Sequence, residues 1–299
     1  MSLFKTQTMS IIKDAAWLQP LSNPPGGKPL CRDSNLRLMA EYASELFTTG
    51  QARNLFIYGK PGTGKTLCAK YLLDQIRKHQ KASEIPVLAI YVNAGKTRTP
   101  YYTMAEIMRQ AGTEVPCAGW QMFRLKRSFE QLLENKSVVI AIDEVDAIIF
   151  KEKDPLVYYL NRQPKTTLIL ISNNVDDVVR LPERALSTLQ PVLMYAKSYT
   201  AEEIRTILKE RVEHAFKPGT ISDKLLTTIA KTVCEVGDVR FGFRVLLSAA
   251  LLAEKARRQR IEADDVMSAV EEESRARKIK ELEDLRDRLH ELKKKRERD

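Results

Sequence analysis

The stretch NLFIYGKPGTGKT, residues 54–66, runs from four apolar residues through three glycines to a lysine and a threonine. An apolar run that breaks at glycine reads as a buried strand, and residues 66–79 have the apolar spacing of a helix. Between them Gly59, Lys60, Pro61, Gly62, Thr63, Gly64, Lys65 and Thr66 fit GxxxxGK[ST]. Glycines let such a loop turn its backbone N–H groups inward around phosphate oxygens, and the helix opening at Gly64–Lys65 adds its positive end. Lys65 is expected to reach the β- and γ-phosphates, and Thr66 to place its hydroxyl on Mg²⁺. A plain glycine turn explains neither the Lys-Thr pair nor its place between strand and helix.

Four more strands follow: 86–93, 137–143, 166–172 and a weaker one at 191–196. Helical spacing lies at 35–46, 104–111 and 122–133. Apolar strands alternating with helices predict an α/β domain with a parallel five-stranded sheet covered on both faces. Past residue 199 the spacing is helical throughout, at 201–215, 223–234, 240–256 and 262–273, with no strand between. The expected organisation is an extended N-terminal arm (1–28), an α/β nucleotide-binding domain (29–198), an all-helical lid (199–273) and a charged C-terminal helix (274–299).

VVIAIDEVD, residues 138–146, carries the second signal. Its apolar residues place a strand inside the sheet, so Asp143 emerges at the carboxyl end, where open α/β sheets bind ligands. Asp143 is the expected Mg²⁺ partner, and Glu144 is placed to activate water for attack on a γ-phosphate. Asp146 reads as a cap or surface residue. In LILISNN, 168–174, Asn173 presents an amide at a strand end, suited to positioning that water. The alternative is a helix cap by Ser172 or Asn173.

The chain has 43% hydrophobic residues, ample for a core, and a net charge of +10 that permits polyanion binding without requiring it. Cys31, Cys68, Cys117 and Cys234 stand far apart, without metal-ligand spacing. The first ten residues lack signal-peptide order, and no apolar run approaches the ~20 residues of a membrane span. A cytoplasmic protein with no membrane partner is the expectation.

The order of motifs resembles the AAA+ ATPases, and details resemble the initiator clade of origin-recognition/Cdc type. IYGKPGTGKT resembles that family's P-loop, and YVNAGKTRTPYYTMAEIMRQAG its second strand and initiator-specific segment. LPERALSTL resembles the stretch holding its arginine finger, at Arg184. GDVRFGFRVLLSAALLAEKA resembles its lid motif, with the second sensor arginine at Arg240. The resemblance implies ATP/ADP and Mg²⁺ as cofactors, and Arg184 reaching the site of a like or related AAA+ subunit. Arg240 would couple nucleotide state to the lid. Either arginine forming a surface salt bridge is the alternative. MYAKSY departs from the family's usual Phe-Pro-Pro-Tyr after the fifth strand. In that family a winged-helix domain usually follows the lid; the expectation here is a charged C-terminal helix in that place.

In that family the segment around Lys96, Arg98, Tyr101 and Tyr102 approaches the duplex backbone and minor groove, which makes double-stranded DNA the expected partner. A solvated turn with the tyrosines packed inward is the other reading. In the tail, residues 274–299 hold eleven Lys/Arg and seven Asp/Glu, with Leu282, Leu285, Leu289 and Leu292 at a/d spacing over barely two heptads. Packing on a neighbouring subunit or partner ranks ahead of a solvated extension, and DNA contact by residues 293–296 ranks last. Expected, then, is an ATP-hydrolysing initiator, slow in turnover, acting on duplex DNA in replication initiation or helicase loading. The alternatives are a transposon regulator of the IstB/TnsC kind with a transposase partner, and a remodelling or signalling module without nucleic acid.

Overall fold

The computed structural model describes residues 10–20, 22–79, 86–116, 120–149 and 156–296, without the side chains of 284, 285 and 287–296. Residues 1–9, Cys117, the side chains of Leu285, Leu289 and Leu292, and the basic cluster at 293–296 therefore lie outside what is described. The chain divides into two compact units. One is Gly26–Ser198, and the other joins Met1–Pro25 to Tyr199–Asp299.

The first unit is built on five strands: β1 Leu55–Tyr58, β2 Val87–Asn93, β3 Ser137–Asp143, β4 Thr166–Ser172 and β5 Val192–Tyr195. They form one sheet in the order β2-β3-β4-β1-β5, every pair parallel. All seven residues of β3 and of β4 are buried, as strands covered on both faces must be. The helices are α1 Asp33–Ser44, α2 Leu46–Thr49, α3 Lys65–His79, α4 Ala94–Thr97, α5 Pro100–Gln110, α6 Met122–Asn135, α7 Asp146–Ile149, α8 Leu156–Asn161, α9 Asp176–Val179 and α10 Glu183–Leu189.

Alternation along the strands divides the core. Phe56, Ile140 and Leu168 face Met104 and Met108 of α5, Leu125 and Phe129 of α6, and Leu160 of α8. Leu55, Ile57, Val139 and Ile169 face Met39 of α1 and Leu72, Leu73 and Ile76 of α3. α5 begins four residues before the apolar spacing does, because Thr99 caps it through Tyr102 N and Pro100 takes its first turn.

The second unit contains α11 Ala201–Ala215, α12 Asp223–Val236, α13 Val239–Lys255 and α14 Ala263–Arg296. Thr200 and Glu203 form a reciprocal capping box at α11, and Ser222 and Asp238 cap α12 and α13. Two sequence expectations are corrected here. The lid's closing helix and the charged tail are one helix, α14, since no glycine or proline interrupts residues 263–296. Nor do residues 10–20 and 22–25 form the extended arm expected from the sequence. Ile12 bridges Phe216, Ile11 N donates to Glu254 Oε1 at 2.8 Å, and Leu18 is fully buried. They form a strap on the helical unit. Among the described residues no helix is long and apolar enough to cross a membrane.

Candidate nucleotide site

At the carboxyl end of the sheet, β1 turns into α3 through Gly59–Thr66. Gly59, Gly62 and Gly64 have φ of 147°, 77° and 83°, in the region that side chains disfavour. At Gly59 a Cβ would also stand 2.4 Å from Ala196 O. The turn leaves Lys65 buried at 7% exposure, with Nζ donating to Gly59 O at 2.6 Å, Lys60 O at 2.9 Å and Asn173 Oδ1 at 3.0 Å. A buried ammonium needs acceptors, and all three are weak ones that an anion can replace.

Thr66, one position on, donates its hydroxyl to Asp143 Oδ2 at 2.6 Å. Asp143 is buried at the end of β3, and its Oδ1 accepts Glu144 N at 3.0 Å. Glu144 is exposed, with a φ of 52° that is strained for a glutamate. Its carboxylate rests over Gly95, where an added Cβ would fall 1.9 Å from Oε2.

The structure thus brings Lys65, Thr66, Asp143 and Asn173 together around the loop, with Glu144 adjoining. Neither Ser172 nor Asn173 caps α9, because Ser172 Oγ bonds Asp177 and Asn173 faces Lys65. Asp146 is half-buried rather than a surface residue, and burial, then Asp177 and Glu144, raise its carboxyl above the ordinary range. On α3, burial pushes the Cys68 thiol up to about 12, so it serves as a packing residue.

Two residues here carry no sequence motif. Arg32, 4% exposed, donates Nε to Thr63 O at 3.0 Å and Nη2 to Lys197 O at 2.6 Å. A loop that turns its N–H groups inward turns carbonyls outward, and Arg32 satisfies one of them. Tyr91 OH donates to Asp143 Oδ2 at 2.8 Å. Burial first, then the charge of Asp143, raise the phenol pKa well above its ordinary value.

The donor set fits a nucleotide polyphosphate, with an ammonium, a helix start and a glycine loop at one place. Thr66 and Asp143 suit Mg²⁺, which keeps few protein ligands and takes others from phosphate. Among the described residues there is no cluster of three His, Cys, Asp or Glu side chains able to bind a metal alone.

Comparison with known families matches residues 48–178 to an AAA domain and residues 205–271 to a Cdc6 AAA+ ATPase-type lid domain. The chain belongs to the initiator clade of the AAA+ ATPases. Its initiator relatives include an ORC1-type DNA replication protein of Pyrococcus horikoshii, 30% identical over 80% of this chain and 60% of the relative. Another, from Sulfurisphaera tokodaii, is 31% identical over 80% of this chain and 61% of its own length. The chain thus spans about 60% of the length of these curated relatives. Among solved structures, the Aeropyrum pernix ORC1 protein in complex with DNA superposes on 90% of this chain and 71% of its own, with TM-score 0.78 and 28% identity. Pyrobaculum aerophilum Cdc6p shares the fold at TM-score 0.74 and 19% identity.

Residues expected from the AAA+ initiator pattern outside the loop are placed as follows. Arg184 is exposed on α10, its guanidinium 5.1 Å from the centre of the Tyr158 ring. Arg240, in the helical unit, is held by Asp238 through Nε at 3.0 Å and Nη2 at 3.1 Å. Lys96 and Arg98 are exposed, and Arg98 ends α4 at a φ of 60°. Tyr101 packs inward and donates its hydroxyl to Trp120 O at 2.7 Å, so of the two tyrosines it is Tyr102, 53% exposed, that meets solvent.

Proposed function

We propose that this chain binds ATP and ADP with Mg²⁺ at the Gly59–Thr66 loop, hydrolyses ATP slowly, and acts on double-stranded DNA as a replication initiator. The observation that carries the reading is the meeting of Lys65, Thr66, Asp143 and Asn173 around one loop. In this reading Lys65 exchanges its carbonyl and amide partners for phosphate oxygens. Thr66 and Asp143 would hold the cation, which would supply positive charge to offset that of the phosphates. Glu144, exposed and beside Asp143, takes a proton from the attacking water, and Asn173 orients that water.

Arg240 from the lid and Arg184 toward a neighbouring subunit supply positive charge as it builds on the γ-phosphoryl group. That role for Arg184 makes a self-assembly, or assembly with a related AAA+ subunit, part of the proposal. A helicase to be loaded is the proposed downstream partner. DNA contact is assigned to Lys96, Arg98 and Tyr102, with the half-buried Tyr101 packing against Tyr102 as its support. Contacts to phosphates give affinity with little sequence reading.

The test is binding to duplex DNA with and without ATP across a salt series. Affinity that needs ATP and falls steeply with salt supports the reading. DNA binding that ignores both overturns it. Electron microscopy with a slowly hydrolysed ATP analogue then separates discrete assemblies, as expected, from continuous coating of DNA, which favours a transposon-type regulator.

A further inference from the structure

Tyr91 belongs to neither the loop nor the Asp-Glu pair. It lies on β2 opposite Ala141 of β3, and Asn93, two residues on, is the one opposite Asp143. A side chain at position 91 must therefore lean along the strand by about 6–7 Å to meet Asp143. The tyrosine does so. Its hydroxyl donates to Oδ2 at 2.8 Å, the oxygen that Thr66 also meets at 2.6 Å, while Glu144 N meets Oδ1 at 3.0 Å. Three donors from three elements thus fix one buried carboxylate.

Tyr91 is itself held at both its ring and its backbone. Lys70, one helical turn beyond Thr66 on α3, places Nζ 4.4 Å from the ring centre. Gln110 of α5 takes both backbone groups, accepting Tyr91 N at 3.3 Å and donating to Tyr91 O at 2.8 Å. Phenylalanine would fill the same space and keep the Lys70 contact, yet donate nothing to Asp143.

We propose that Tyr91 is a positioning residue for the divalent cation of the nucleotide site, acting through Asp143. The inference rests on the proposed Mg-nucleotide reading of the loop. Carboxylates that ligate metals are themselves held by outer hydrogen bonds, and loss of such a partner weakens metal affinity about 10–100-fold.

The experiment compares the full chain with its Tyr91→Phe variant, using a fluorescent ADP analogue titrated in EDTA and then with MgCl₂. The expected result is an unchanged affinity in EDTA, an unchanged melting temperature without Mg²⁺, and a Mg²⁺ midpoint raised about tenfold. An unchanged or lowered midpoint overturns the proposal. So does an equal loss of affinity in EDTA, or a lower melting temperature, since either makes Tyr91 a packing residue. If the parent chain binds no nucleotide, the reading of the loop fails along with the inference. Normal binding by the parent with an indifferent variant rejects Tyr91 alone.

Discussion

Each unit buries one arginine against backbone carbonyls, to different ends. In the α/β unit, Arg32 holds Thr63 O of the phosphate loop and Lys197 O, one residue before that unit ends. In the helical unit, Arg211, 3% exposed, donates to Asn23 O at 2.8 Å, Ser22 O at 3.0 Å and Ser22 Oγ at 3.0 Å. Burial lowers the pKa of Arg211 from its ordinary value. The guanidinium fork suits both tasks, because it satisfies several carbonyls of an irregular segment at once. One fork shapes the loop proposed to receive nucleotide, and the other fastens a strap that completes a core. Function and stability should therefore separate between them.

Lys65→Ala breaks the loop's side of the comparison most severely. Nucleotide affinity should fall at least 100-fold, about 2.7 kcal/mol, in a chain that melts normally; unchanged affinity by calorimetry would refute the loop as the nucleotide site. Arg211→Met should lower stability by about 2–3 kcal/mol, because buried strap carbonyls lose their donor, and leave nucleotide affinity alone. Denaturant unfolding checks this, and a loss of ADP binding without loss of stability would erase the contrast between the arginines. Glu144→Gln should bind ATP yet turn over at least tenfold more slowly, a barrier rise of about 1.4 kcal/mol; normal phosphate release would remove Glu144 from its role. Gly95→Ala should have the smallest effect. The added methyl displaces the flexible end of Glu144, so turnover drops severalfold while the melting temperature stays within a degree or two.

The strands and the loop were legible because their signals are local. Runs such as SVVIAID and TTLILIS match β3 and β4 residue for residue. Lys65, Thr66, Asp143 and Asn173 each sit at a strand end or helix start, so placing the elements places the residues. Arg32 and Tyr91 were not legible, since what defines them is a partner 31 and 52 residues away along the chain. The strap was misread for a related reason. Its prolines, with two glycines just beyond it, announce a loop, while Ile11, Trp17 and Leu18 have no period that would announce a buried face. For α14 a signal was available, the absence of any breaker from 263 to 296, yet residues 274–299 were set apart as a separate charged helix where the backbone has no break.

That unbroken helix has a mechanical consequence. Glu273 of α14 is tied to α13 by Arg244 and Ser248 at 2.9 and 3.0 Å, and Arg277 reaches Val236 O of α12. Residues 278–283 are exposed, and the helix continues to Arg296. Nineteen residues at 1.5 Å each make a rod of about 28 Å beyond that anchorage. A tilt of about five degrees at the anchor sweeps the far end through roughly 2–3 Å over that length. Whatever grips the end of the rod gains leverage on the lid, with Glu273 and Arg277 at the fulcrum.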